Sequence, residues 1–361
     1  MKFLISLAIF ITALPVMAAD NDLNAHIVLF HADDAKPPAG HAERLASLGE
    51  YVEAFLAKEM RRWKRPIERQ KIFARDAKGR IRVTVTAGKL ASNGRNALPE
   101  IRTKALREAG RRLGIPQGKA AIWWIFYDHP DVKGFQGGAR GTGGVAINAY
   151  PIGEGAFDSQ ASMAAPELAA AKVKGAIHEF GHALGLPHIG PRPGRELGNS
   201  LMGPVNRAYW GRTNPDEQRV YLSEVAAAML WKHPVFRNAK PQELSPVQIE
   251  TENLKVQEVD EQVVLTGIVH AENKAHSAVV LDSERGRFGD YWARSYVGKI
   301  EPQSGEFRVV IKEPFTRGRL HLSFSLVNGL TTDGEQPFQR GTELRFSYQG
   351  RPGSRKIETL R

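Results

Sequence analysis

The sequence predicts an α/β (α+β) unit of strands alternating with amphipathic helices, followed by an all-β sandwich. Three observations predict it. The 361-residue chain is long enough for two sizeable cores. Up to about residue 240, strand-like runs alternate with helical ones. From about Pro241 helical periodicity stops, and short alternating runs separated by turn residues take over. A hydrophobic content of 42% with 25% charged residues excludes bulk disorder. No internal repeat of solenoid or propeller period is present.

"MKFLISLAIFITALPVMAAD" reads as a secretory signal: Lys2 is the basic start, Phe3 to Leu14 the apolar stretch, and Val16-Met17-Ala18 the small-residue cleavage site. Residues 1–19 are expected to be removed, leaving a protein exported to the periplasm or beyond the cell. No later stretch is long and apolar enough for a transmembrane helix. The first domain is expected over residues 20–240. Within it Ala25 to Asp34 reads as a strand. Leu45, Leu48, Val52, Phe55 and Leu56 recur at helical spacing. Ile81, Val83 and Val85 alternate as in a half-buried strand, and Pro99 to Gly114 bound a helix. "AAIWWIFYD" is apolar enough for a central strand. "GFQGGARGTGG" reads as a mobile glycine-rich loop, and "VAINAY" as a further strand. "AAPELAAAKVKGAIHEFGHALGLPH" predicts one long helix, opened near Pro166 and closed by Gly185. Asn214, Pro215 and Glu217 form a capping-box-like start for a helix through Trp231.

"KPQELSP" then reads as a linker into residues 241–350, where about seven short strands fit an immunoglobulin-like or fibronectin-like sandwich. Phe307, Val309 and Ile311 alternate strictly, as do Leu320, Leu322, Phe324 and Leu326. Residues 351–361 are polar and read as a flexible tail.

The chain has no cysteine, which excludes a thiolate metal ligand, a cysteine nucleophile and a lipidated cysteine. Its net charge of +11 includes a dense basic run from Ile101 to Gly114. An exported protein has little access to nucleic acid, so this run reads as a solvated helix face. An anionic cell-surface polymer is a partner that the charge would suit.

Chemistry is concentrated in "IHEFGHALGLPHIG". Positions i and i+4 share one helix face, so His178 and His182 can share one metal ion. Glu179 is rotated about a quarter turn from them, placed to touch a water on that metal rather than to ligate it. Gly185 can take a positive φ and end the helix, returning the chain so that His188 approaches from a new direction. Three imidazoles with one open position suit a single catalytic Zn²⁺, which activates a water while Glu179 serves as general base.

The stretch H-E-x-x-H-x-x-G-x-x-H, followed by "NSLMGP" with Met202 fourteen residues after His188, resembles the signature of metzincin zinc endopeptidases, most closely the matrixin branch and its bacterial secreted relatives. The resemblance covers Gly175 to Pro204. It implies a metzincin-type catalytic domain with a mixed sheet and an active-site helix. It implies His178, His182 and His188 as zinc ligands, Glu179 as catalytic base and Met202 as the structural methionine turn. It further implies hydrolysis of internal bonds in a protein or peptide substrate. In this family the strand bordering the cleft pairs with substrate backbone, which points to Val145, Ala146, Ile147, Asn148 and Ala149. Pro204 stands where some metzincins carry a tyrosine that reaches the zinc, and Tyr209 lies nearby. There is no cysteine for a cysteine switch.

His26, His31, His41, His129 and His233 have no partner at ligand spacing and read as surface or locally bonded residues. Tyr291 and Trp292 either contact a ligand or pack a core. Two other functions fit the same residues: a binding protein on the metzincin scaffold, and a hydrolase of cell-wall amide bonds. The intact Glu179 argues against the first, since a binding protein has no chemical need of that carboxylate.

Overall fold

The computed structural model describes residues 23–140, 143–151, 153, 155–193, 197–212, 219–237, 249–284, 290–332 and 344–360. The signal segment, the Lys240 to Pro246 linker and the Asn214-Pro215-Glu217 helix start lie outside the described residues.

The first sheet and its helices run β1 (Ala25–His31), α1 (His41–Arg62), β2 (Val83–Ala87), α2 (Leu98–Leu113), β3 (Ile122–Asp128), β4 (Gln136–Arg140) and β5 (Gly143–Ala149). Strand order is β2-β1-β3-β5-β4, all parallel except β4, which runs antiparallel to β5. Side chains of a strand alternate between faces, and that alternation builds two cores on one sheet. Ile27, Leu29, Trp124, Phe126 and Ala146 lie on the face whose core also takes in Leu45, Leu48, Val52 and Leu56 of α1. Val28, Phe30, Ile125 and Ile147 face Ile101, Ala105 and Ala109 of α2. Each fully buried Ile or Leu contributes about 1.5–3 kcal/mol of apolar burial. The basic residues of α2 point outward. Lys104 pairs with Glu100, and Arg111 and Arg112 pair with Glu108, as a solvated helix face requires.

After β5 come α3 (Pro166–Ala170), α4 (Val173–Ala183), β6 (Asn199–Ser200), α5 (Asn206–Trp210), β7 (Val220–Tyr221) and α6 (Glu224–Leu230). Two expectations change here. The single helix from Pro166 is broken, because Lys172 takes φ +55° between α3 and α4. The bend lets both Leu168 and Val173 face the core. Nothing in the composition of this stretch signals it, since lysine is a good helix former. The later helix begins only after Ser223, whose Oγ accepts from the Ala226 N–H at 3.1 Å. Val220 and Tyr221 are instead paired with β6.

The C-terminal region is a sandwich of two antiparallel sheets. It contains β8 (Ile249–Val259), β9 (Gln262–Ala271), β10 (Ala275–Glu284), β11 (Arg294–Lys299), β12 (Glu306–Ile311), β13 (Arg317–Leu326), β14 (Leu344–Gln349) and β15 (Lys356–Leu360). The sheets are β12-β9-β8 and β11-β10-β13-β14-β15. The last strand corrects the flexible tail. β15 pairs with β14, and the backbone N–H groups of Gly353 and Arg355 donate to the Glu258 carboxylate. The stretch reads as a tail in the sequence because this edge strand is short and mostly polar, with Lys356 and Glu358 on one face and Thr359 on the other. One sheet of the sandwich packs on the helix-bearing region: Val279, Leu281 and Val297 share a core with Val225 and Met229 of α6. No helix among the described residues is long and apolar enough to cross a membrane.

Candidate metal centre

α4 is an eleven-residue helix with all but Gly175 buried, and it carries His178, Glu179 and His182. It ends in a Schellman turn. Gly185 takes φ +88°, its N–H donates to His182 O, and the Leu186 N–H reaches back to Gly181 O. The helix thus ends at a glycine in the left-handed region. The returning segment brings His188 to the helix pair. Ring centroids lie 4.6 Å apart for His178 and His182, 4.7 Å for His182 and His188, and 5.3 Å for His178 and His188. One nitrogen from each ring falls within 4.8 Å of the others, and this is the group of three among the described residues able to hold a metal ion.

The tautomers follow from the partners. His178 Nδ1 lies 2.9 Å from Leu201 O, and His182 Nδ1 lies 2.7 Å from Leu186 O. A carbonyl only accepts, so both Nδ1 atoms carry the hydrogen. The two Nε2 atoms, 3.1 Å apart, then face each other with lone pairs and cannot bond to one another. Burial lowers the pKa of both rings, helped for His178 by the neighbouring His182 and Lys174, so the lone pairs stay available near neutral pH. Two anchored, neutral imidazoles with converging lone pairs and a third ring beside them fit a divalent metal, whose ligating histidines usually donate their other nitrogen to a carbonyl.

Met202 is fully buried beneath the helix. A Cβ on Gly181 would come within 2.5 Å of its Sδ, so the methionine packs directly against α4. Its carbonyl accepts from Ile189 N, which ties the turn to the residue after His188. Lys174, one turn before His178, was not singled out by the sequence. Its buried Nζ donates to Gly203 O at 3.0 Å and Pro204 O at 2.6 Å, latching the helix to the segment that follows Met202, and burial lowers its pKa to about 7. An isolated lysine four residues before a histidine gives no signal of such a role.

Glu179 is 5% exposed and sits on the helix beside this cluster. Its backbone touches β4. A Cβ on Gly137 would lie 2.3 Å from Glu179 O and 2.8 Å from His182 Cβ, and one on Gly144 would lie 2.0 Å from Ala183 O. Within the glycine-rich segment expected to be a mobile loop, Gln136–Arg140 is thus a strand pressed against the site helix, with glycine where the backbones meet. This also corrects the expected free strand. Val145, Ala146 and Ile147 pair with β3 on one side and with Gly138, Gly137 and Gln136 on the other, so they are interior. Asn148 and Ala149 pair with β3 only, and the Asn148 side chain accepts from Trp124 Nε1. Among the described residues, β4 is paired on one side only, and it forms the edge of the sheet nearest His182.

The remaining histidines match the local reading. His31 and His41 donate to nearby carbonyls, and His129 and His233 accept backbone N–H groups. The His26 ring lies against Trp123, tilted by 33° with centroids 5.0 Å apart. Tyr209 does not join the histidine rings; it stacks on Trp292. Tyr291 does join them, 3.8 Å from His188, although it belongs to the loop before β11.

No family model matches the chain, and no curated protein matches it. Solved structures do. Wild-type OgpA from Akkermansia muciniphila is similar at 20% identity with a TM-score of 0.67, covering 94% of this chain and 95% of that one. Catalytically inactive OgpA from the same organism, in complex with an O-glycopeptide (glycodrosocin) substrate, is similar at 18% identity with a TM-score of 0.68 over 94% and 95%. The likeness is one of fold, and it extends over both the helix-bearing domain and the sandwich.

Proposed function

We propose that this protein is an exported zinc endopeptidase. One observation carries the reading: three imidazole nitrogens converge at the end of a helix whose Glu179 adjoins them, beside an open strand edge. His178, His182 and His188 would hold one Zn²⁺, the metal that suits an all-nitrogen donor set. The bound ion supplies Lewis acidity to amide hydrolysis. Glu179 takes the proton of the attacking water on a carboxylate oxygen and later passes it to the leaving amine nitrogen. The β4 edge receives the substrate as an added strand, aligning an internal peptide bond with the metal and Glu179. Met202, Lys174 and the carbonyls of Leu201 and Leu186 hold the ligand geometry.

The fold it shares with OgpA supports a peptidase, and OgpA was crystallised with an O-glycopeptide. A narrower substrate follows from β4 itself. Gly137, Gly138 and Ala139 place nothing larger than a methyl group along this part of the edge. A peptide laid there has space for a bulky substituent, and a glycosylated peptide fits that room. The test is mass-spectrometric analysis of plain and O-glycosylated peptide mixtures. New internal cleavages that disappear with a chelator and with Glu179→Ala are expected. Release of peptidoglycan fragments without peptide cleavage would favour cell-wall amide hydrolysis, and no product from any mixture would favour a binding protein.

A further inference from the structure

The metal centre has a component from outside the first domain. Tyr291 precedes β11 in the sandwich, yet its ring lies 3.8 Å from His188 at an interplanar angle of 30°. The same ring lies 5.8 Å from His178 at 21°. One face of the His188 imidazole thus meets Tyr291, while His182 approaches edge-on at 73°.

The turn that delivers Tyr291 is built against the returning ligand segment. Gly190 N donates to Ala293 O at 2.8 Å. Any Cβ at Gly190 would come 2.5 Å from the Trp292 carbonyl carbon and 2.7 Å from Ala293 O, so only glycine permits the contact. Trp292 is stacked on Tyr209, and the Arg212 guanidinium lies 4.6 Å from its ring centroid. Asp290 closes the turn: its Oδ1 accepts from Trp292 N and its carbonyl from Ala293 N. Tyr291 is therefore held by contacts on both sides along the chain. It remains 39% exposed.

His178 and His182 are oriented by a helix and by carbonyl partners. His188 sits on an irregular segment, is half-buried, and meets a flat aromatic face. We propose that Tyr291 is a positioning residue of the metal centre: the sandwich domain supplies the ring that fixes the plane of the third ligand. The contacts that carry this role are those of the ring. The role rests on the zinc reading above and adds to it that the centre is completed by two domains.

The test uses the full-length mature protein. Zinc affinity is measured by competition with a chromophoric chelator, and ligand geometry by the visible absorption of the Co²⁺-substituted form. Tyr291→Ala is expected to weaken zinc binding by about tenfold, the lower end of what outer-shell partners contribute, and to alter the Co²⁺ bands. Tyr291→Phe is expected to restore both. Circular dichroism and melting of the metal-free proteins should coincide, which a merely structural defect would not allow. If Tyr291→Ala does not fold, Tyr291→Leu carries the same expectation. Wild-type affinity and spectrum in the Ala or Leu variant would overturn the proposal, as would a Phe variant as impaired as Ala. A wild-type protein that binds no zinc would instead overturn the reading of the centre itself.

Discussion

Gly137→Ala is the sharpest single test of how the glycine-rich strand meets the site helix. The new Cβ would stand 2.3 Å from Glu179 O and 2.8 Å from His182 Cβ. Carbon and carbonyl oxygen need about 3.2 Å or more, so β4 and α4 must part by about 1 Å. The obstructing atom is backbone in a helix, so no rotamer change relieves it. Overpacking of this kind costs about 1–3 kcal/mol, and the upper half of that range is expected. Displacement of a catalytic frame by about 1 Å can cost ~100-fold in rate, so kcat/KM should fall further than stability. Gly138 is the built-in control. It is the next residue, points to the other face, and has nothing within 4 Å of its ideal Cβ. Gly138→Ala should lie within about 0.5 kcal/mol of wild type. The measurements are guanidinium unfolding at equilibrium and hydrolysis of a fluorogenic peptide. Equal stability of the two variants would refute the close packing of β4 on α4 and with it the reason for the glycines.

Two further outcomes can be checked. Burial raises the Asp282 pKa from 3.8 to about 7, while the Tyr348 hydroxyl donates to its carboxyl. The native state then keeps a proton that the unfolded chain releases, so the stability contribution of Asp282 falls as pH rises from about 4 to about 7 and is level above. About three units at roughly 1.4 kcal/mol each give a change of up to about 4 kcal/mol. Asp282→Asn should gain on wild type by that order between pH 4.5 and 7.5 in urea unfolding; a constant difference would refute it. Zinc should raise the melting temperature of metal-stripped protein, since a ligand at about 100 times its Kd adds about 2.7 kcal/mol to the native state. Chelator should reverse the rise, and His188→Ala should abolish most of it; an unchanged melting curve in wild type would count against the centre.

Much of this architecture could be read in the residues, for identifiable reasons. The i, i+4 histidines, Gly185 and His188 are local in sequence, and helix geometry plus one positive φ dictates where they go. The apolar helix stripes and alternating strands follow from period alone. What could not be read depends on contacts between distant segments. β4 has the composition of a loop, and only the nearness of α4 explains why Gly137 and Gly144 tolerate nothing larger. The interior place of Val145 to Ile147 follows from β4 being a strand. Lys172 takes a left-handed conformation that no propensity announces. Lys174 acquires meaning only from carbonyls 29 and 30 residues away. Tyr291 was readable as an aromatic with two possible roles, but its neighbour His188 lies more than a hundred residues earlier.

The apolar seam between α6 and the sandwich has a practical bearing. Residue 240 is a change of texture in the sequence but not a safe place to cut the chain. Ending it there would leave Val225 and Met229 facing water where Val279, Leu281 and Val297 now cover them. A chain truncated there should therefore express poorly or clump, and loss of the proposed activity in it would say nothing about what the sandwich does in the intact protein.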